Sequence, residues 1–248
     1  MGKHDLKTLE GGVLTVGVDE SPPPPFHMGE PNSPNFEGFE VDLTTTIAEK
    51  LGVRAKYKSE LWSEILRDLV DGRLDLICTA ATITNGRRQI IDFSAPYFDT
   101  GLAITIKRGS PIQETADLRD KVIGVRIATS AEEFARKEIG ARSFRAFHLN
   151  VEAYRALFEG VVDAVIDDCH IAKSFEWSIP NLRVITTIAG TKCQYGMMFA
   201  KGNDQLRNAV NEALVEIKTE GTYDKFYKKW FTGRAQEASS NFPICTDG

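Results

Sequence analysis

Residues 38–80, GFEVDLTTTIAEKLGVRAKYKSELWSEILRDLVDGRLDLICTA, carry the changes of hydrophobic period that decide the fold. Val41, Leu43, Ile47, Ala48 and Leu51 fall on one face at helical spacing, and Gly52 ends the pattern. VRAKYK then reads as a strand, LWSEILRDLVDG as a second helix closed by Gly72, and RLDLICTA as a buried strand. With LTVGVD (residues 14–19) as a strand before it, the order is strand, helix, strand, helix, strand, which is that of an α/β sheet with parallel neighbours.

Outward from that stretch the alternation resumes in KVIGVRI, SAEEFARKEIG, NVEAYRALFEG, VDAVIDD and CHIAKSFEW, enough for a second α/β lobe. YGMMFA (residues 195–200) reads as a strand, followed by helices in residues 203–221 and 222–231. Residues 21–38, SPPPPFHMGEPNSPNFEG, hold six prolines and suit a loop at the rim of a site. The polar tail, residues 234–248, is expected to wrap the surface.

The 248 residues can bury two cores, and 42 % hydrophobic with 26 % charged residues is an ordinary globular composition. A net charge of −5, with basic residues scattered among acids, leaves no stripe for a phosphate backbone, so nucleic acid is not an expected partner. The longest apolar runs, such as residues 74–81, are too short to span a bilayer. Residues 1–12 lack the apolar stretch that drives secretion and read as a trimmed end from which a signal peptide has been removed. Cys78 reads as a small buried hydrophobe, and Cys169, Cys193 and Cys245 have no metal-binding spacing. A disulfide between Cys193 and Cys245 is expected, with Cys169 as the rival partner, in an oxidising compartment.

Two segments hold groups suited to a charged ligand. In TITNGRR, Arg87 offers a planar fork for a carboxylate, Thr82 a hydroxyl and Ala80 a backbone N–H. A helix opening at NGRRQ would add its positive end, while Arg88 reads as a solvated charge. In VDAVIDD a buried strand ends in Asp167 and Asp168, where an open α/β sheet displays its functional groups. The structural alternative is that both acids only cap the helix beginning at Cys169.

GFEVDL, LWSEIL, GRLDLI, TITNGRRQIIDFSAPY, VDAVIDD, YGMMFAKG and EGTYDKFYKKWF, in this order, resemble the polar amino-acid class of periplasmic solute-binding proteins with the type II fold. The resemblance covers nearly the whole chain, from Val13 to Phe231. It implies two lobes, each a mixed sheet flanked by helices: residues 1–104 with 196–248, and residues 105–195. Hinge strands would cross near residues 102–107 and 191–198. It further implies a monomeric periplasmic or extracellular receptor, compatible with a lipid anchor on the precursor. Such a receptor closes its lobes around a free L-amino acid, polar and glutamine-like or basic, for the membrane permease of an ABC transporter, without a cofactor.

The family's carboxylate clamp maps onto Thr82 and Arg87, although Asn85-Gly86 departs from its usual pattern, and the ammonium role maps onto Asp168. Asp19, Trp62, Thr129 and Ser130 match other ligand-contacting positions, Phe26 stands in for an aromatic that often precedes a Pro-Phe pair, and Arg126 matches a side-chain contact of the glutamine-binding branch. Asp19 and Asp167 would face Arg126 in that pocket. Dehydratases of the same fold place a Glu where this chain has Ile171, and His170 is expected on the outer face of its helix, so the reading is a receptor and not an enzyme. A sensory module built from the same lobes is the other alternative.

Overall fold

The computed structural model describes residues 8–21 and 24–232. Along the chain run β1 (Val13–Asp19), α1 (Phe39–Leu51), β2 (Arg54–Glu60), α2 (Trp62–Val70), β3 (Leu76–Ile77), α3 (Arg87–Ile90), β4 (Ile91–Phe93), β5 (Phe98–Thr100) and β6 (Leu102–Lys107). Then follow β7 (Val122–Arg126), α4 (Ser130–Glu138), β8 (Ser143–Phe147), α5 (Asn150–Glu159), β9 (Ala164–Asp168), α6 (Cys169–Ser178), β10 (Leu182–Thr187), β11 (Cys193–Tyr195), β12 (Met198–Ala200), α7 (Asp204–Thr219) and α8 (Thr222–Tyr227). Among the described residues, the segment up to Phe98 and that from Gln194 form one compact unit, and Asp99–Cys193 forms the other.

The first unit has a five-stranded sheet in the order β2-β1-β3-β12-β4. β1 runs parallel to β2 and β3, whereas β12 runs antiparallel to β3 and β4. Its main core packs α1 and α7 through Leu43, Ile47, Val210, Leu214 and Ile217; a second cluster, of Trp62, Ile65, Leu69, Ile77 and Met198, seats α2. α1 ends as its sequence demands: Gly52 takes a left-handed conformation (φ 73°) and its N–H closes onto Ala48 O and Glu49 O.

The second unit has the order β10-β6-β9-β7-β8, with β7 parallel to both β8 and β9 and β6 antiparallel to β9 and β10. Ile104, Ile106, Ile123, Val125 and Ala135 fill one core cluster, and Tyr154, Leu157, Val165 and Leu182 another.

Three expectations shift. The first crossing falls between Phe98 and Asp99, ahead of residues 102–107, because β6 is hydrogen-bonded on both edges within the second sheet. The second lies between Cys193 and Gln194, inside the expected residues 191–198, and the crossing strands β5 and β11 pair with one another. RLDLICTA forms only the short strand Leu76–Ile77; just before it the Asp75 N–H donates to Thr15 O at 3.0 Å while its carboxylate accepts the N–H groups of Leu9 (2.8 Å) and Thr15 (2.7 Å). YGMMFA splits between β11 and β12 at Gly196, where a Cβ would stand 2.9 Å from the Ile83 side chain.

Candidate functional site

In both units the expected residues gather at the carboxyl ends of parallel strands, where the alternation of strand and helix leaves loops to carry side chains. β1, β2 and β3 are parallel neighbours, and Asp19, Trp62, Ala80 and Thr82 lie at or just beyond their ends. β7 and β9 are parallel neighbours in the second unit; Arg126 ends the one, with Thr129 and Ser130 just beyond it, and Asp167 and Asp168 end the other.

In the first unit Arg87 is half-buried, with its guanidinium carbon 4.9 Å from the ring centroid of Trp62 and Nη1 donating to Thr82 O at 2.8 Å. Arg87, Thr82 and Trp62 are thus brought together by contact, and Trp62 is itself buried at the first turn of α2. A guanidinium carries five N–H donors in a planar fork, and the bond to Thr82 O sets the direction of that fork. The helix end adds nothing. α3 has only four residues, and its opening N–H groups are spent on Thr84 Oγ1 (Arg87, 3.2 Å), Thr84 O (Arg88, 3.0 Å) and Gly86 O (Gln89, 3.2 Å).

Two expected contacts of this unit fail. The N–H of Ala80 points inward and donates to Glu40 Oε1 at 2.6 Å, so it cannot also serve a ligand. Phe26 is fully buried, in edge contact with Phe39, Phe98, Tyr195 and Phe231, and belongs to the core. Asp19 is buried at the end of β1, its N–H donating to Thr79 Oγ1 at 3.1 Å and its carboxylate accepting from Ser21 N–H at 3.2 Å.

In the second unit Asp168 occupies the N-cap position of α6 but makes no capping hydrogen bond through its side chain, which disfavours the purely structural alternative. Asp167 is turned inward: Oδ1 accepts the Asp168 N–H at 2.8 Å and Oδ2 the Tyr154 hydroxyl at 3.4 Å. Burial, and then the Asp168 charge, push its carboxyl up to about 8 against the opposing pull of the Asp168 N–H, Arg126 and Tyr154. Buried Arg126 donates from Nε to His148 O at 3.0 Å. Asp167 is therefore a floor beneath Asp168, and its expected direct role in the ligand's side-chain pocket gives way to support.

Thr129 is the N-cap of α4: its hydroxyl donates to Arg126 O at 2.7 Å and accepts from Glu132 N–H at 3.1 Å. Its side chain is spent on the helix, which leaves Ser130, the first residue of α4, as the ligand-facing candidate of the pair. His170, expected outside, is buried with Nδ1 3.3 Å from Thr100 Oγ1, and burial pushes its pKa down to about 4.

Sequence reading missed Glu40, His27 and Tyr97 in the first unit and Tyr154 in the second, buried side chains that touch the candidate residues or one another. One signal was present for Glu40, an acid on the same helical stripe as Ile47, Ala48 and Leu51, all buried. Of the cysteines, Cys78 and Cys193 are not in disulfides, whereas Cys169 is; Cys245 lies outside the described residues. The expected use of Cys193 is thereby overturned in favour of its rival.

Relatives place this geometry in context. The chain is similar to the L-cystine-binding protein TcyJ of Escherichia coli, 31 % identical over 227 residues covering 91 % of this chain and 85 % of that protein. It is also similar to the ABC transporter glutamine-binding protein GlnH of Bacillus subtilis, 31 % identical over 210 residues covering 83 % of this chain and 76 % of that one. Among solved structures, an ancestral arginine-binding protein bound to glutamine matches with a TM-score of 0.82 and 36 % identity, covering 90 % of this chain and 99 % of that one. With a family profile matching residues 14–233, and with both sheets presenting their charged groups at the carboxyl ends of parallel strands, the chain belongs to the bacterial extracellular solute-binding proteins, family 3.

Proposed function

We propose that this chain is an extracytoplasmic receptor that binds a free α-amino acid, polar and glutamine-like or basic, and passes it unchanged to the permease of an ABC transporter. The observation that carries the reading is the division of charge. One unit holds a cation, Arg87, aimed by Thr82 and Trp62, and the other holds a carboxylate, Asp168, on a buried polar floor. These are complements of the carboxylate and the ammonium of one zwitterion. Contacts from both units would make the ligand-bound, closed arrangement the tighter one. A monomeric protein in the periplasm or outside the cell suits this role, and the disulfide at Cys169 fits an oxidising compartment. His170, buried and held neutral beside Thr100, is poorly suited to supply the general acid that a dehydratase would need.

A thermal-shift screen over the twenty amino acids tests the reading, since a ligand of the folded state raises the melting temperature. Arg87→Ala and Asp168→Ala should each weaken the best ligand by about a hundredfold or more, the cost of leaving one buried charge of a pair uncompensated. Either variant binding within about threefold of the parent overturns the assignment of the site.

A further inference from the structure

Beneath the first unit's loops lies a pair of buried ionisable side chains that ligand contact does not use. His27 and Glu40 are 1 % and 2 % exposed. Glu40 Oε1 accepts the Ala80 N–H at 2.6 Å and the Tyr97 hydroxyl, and Oε2 lies 3.4 Å from His27 Nδ1. On the other side of the ring, His27 Nε2 is 3.2 Å from the carbonyl oxygen of Asp19. A ring nitrogen facing a carbonyl must be a donor, so Nε2 carries hydrogen, whereas the 3.4 Å approach of Nδ1 to Oε2 is a close polar contact without hydrogen-bond geometry. Polar groups therefore stand in contact from the end of β1, through imidazole and carboxylate, to the loop after β3.

Both ends of that series need holding. Ala80 adopts φ 47°, a left-handed conformation that an alanine keeps only where its surroundings impose it. Asp19 ends β1 beside it, through its N–H to Thr79 Oγ1. Glu40 itself is anchored at the start of α1, where its N–H donates to Phe26 O at 2.9 Å and that of Phe39 to Pro25 O at 2.9 Å.

We propose that His27 and Glu40 form a clasp: two positioning residues that hold the Asp19 and Ala80 loops at the spacing a ligand requires. The proposal rests on the reading of those loops as ligand-contacting. What matters in the clasp is the hydrogen bond each residue makes to its loop, His27 to Asp19 O and Glu40 to the Ala80 N–H, and not charge. A glutamine at position 40 can keep the hydrogen bonds that Glu40 makes, its carbonyl accepting from Ala80 and Tyr97, and sets its amide beside Nδ1.

The test uses the full chain and two readouts: exchange of the Ala80 backbone amide followed by NMR without ligand, and calorimetric affinity for L-glutamine, L-arginine, L-histidine and L-cystine. Glu40→Ala should speed Ala80 exchange by about tenfold or more while the β1 amides hold, and should weaken the tightest of the four by about tenfold or more. Glu40→Gln should stay within about threefold of the parent in both, and Glu40→Ala with His27→Ala should be no worse than Glu40→Ala alone, as for residues acting as one unit. Unchanged Ala80 exchange in Glu40→Ala, unchanged affinity, or a Glu40→Gln as impaired as Glu40→Ala would each overturn the clasp. Should Glu40→Ala not fold, Glu40→Gln and His27→Ala decide, the second being expected to lose affinity by about fivefold or more. A parent that binds none of the four amino acids refutes the amino-acid reading instead, and the exchange experiment still judges the clasp.

Discussion

Asp167 and His170 show how burial at single residues sets the protein's response to pH. Asp167 is raised to about 8 in the folded state, so between the ordinary carboxylate range and pH 8 the unfolded chain loses a proton that the folded chain keeps. Its contribution to stability is complete at acid pH and is lost as pH rises through that window, by up to about 1.4 kcal/mol per pH unit. Asp167→Asn keeps an acceptor for the Asp168 N–H, and should raise the melting temperature at pH 7.5 and flatten its decline from pH 5 to 8. Parallel denaturation profiles of parent and variant check this. His170 acts at the other limb. Its pKa falls to about 4, so below the ordinary imidazole range the unfolded chain gains a proton that the folded chain resists, and stability falls as pH drops from about 6.5 to 4. His170→Gln should make that acid limb shallower in the same measurement.

At the scale of elements, the start of α1 depends on Gly38. It sits at φ 152°, and a Cβ there would meet Phe26 O at 2.2 Å and His27 Cα at 2.5 Å, both backbone atoms of the loop whose carbonyls receive the first N–H groups of the helix. Gly38→Ala must displace either the helix or the loop, and should cost about 2 kcal/mol or more. Gly72 provides the contrast: it is also left-handed, at φ 72°, but a Cβ there meets nothing, so Gly72→Ala should cost only about 1 kcal/mol of backbone strain. Urea midpoints of the two variants would order them, and a Gly38→Ala no worse than Gly72→Ala would contradict the packing of the loop against α1.

For the whole molecule, each unit has a core of its own, so a ligand gripped by both must stabilise both. Melting followed at Trp62 and Trp230 in one unit and at Trp177 in the other should rise together with a saturating amino acid; a rise confined to one unit would sink the two-sided grip. The cysteines provide a second check: alkylation of unfolded, unreduced protein should label Cys78 and Cys193 and spare Cys169. The sequence by itself determined the elements, the two α/β lobes and the segments that carry charge, because helical and strand periods, glycine stops and acids at strand ends are local signals. Arg87 with Thr82 and Trp62, and Asp168 beside Asp167, were legible in that way. Only the tertiary structure decided how each polar atom is spent. The N–H of Ala80 goes to Glu40, the hydroxyl of Thr129 to its own helix, the carboxylate of Asp167 to its neighbours and the ring of Phe26 to the core. Glu40 and Ala80 are 40 residues apart, and Phe26 packs on Tyr195 and Phe231 from near the other end of the chain. A hydrogen bond or a buried contact belongs to whichever group the sheet brings near, and this the local sequence does not state.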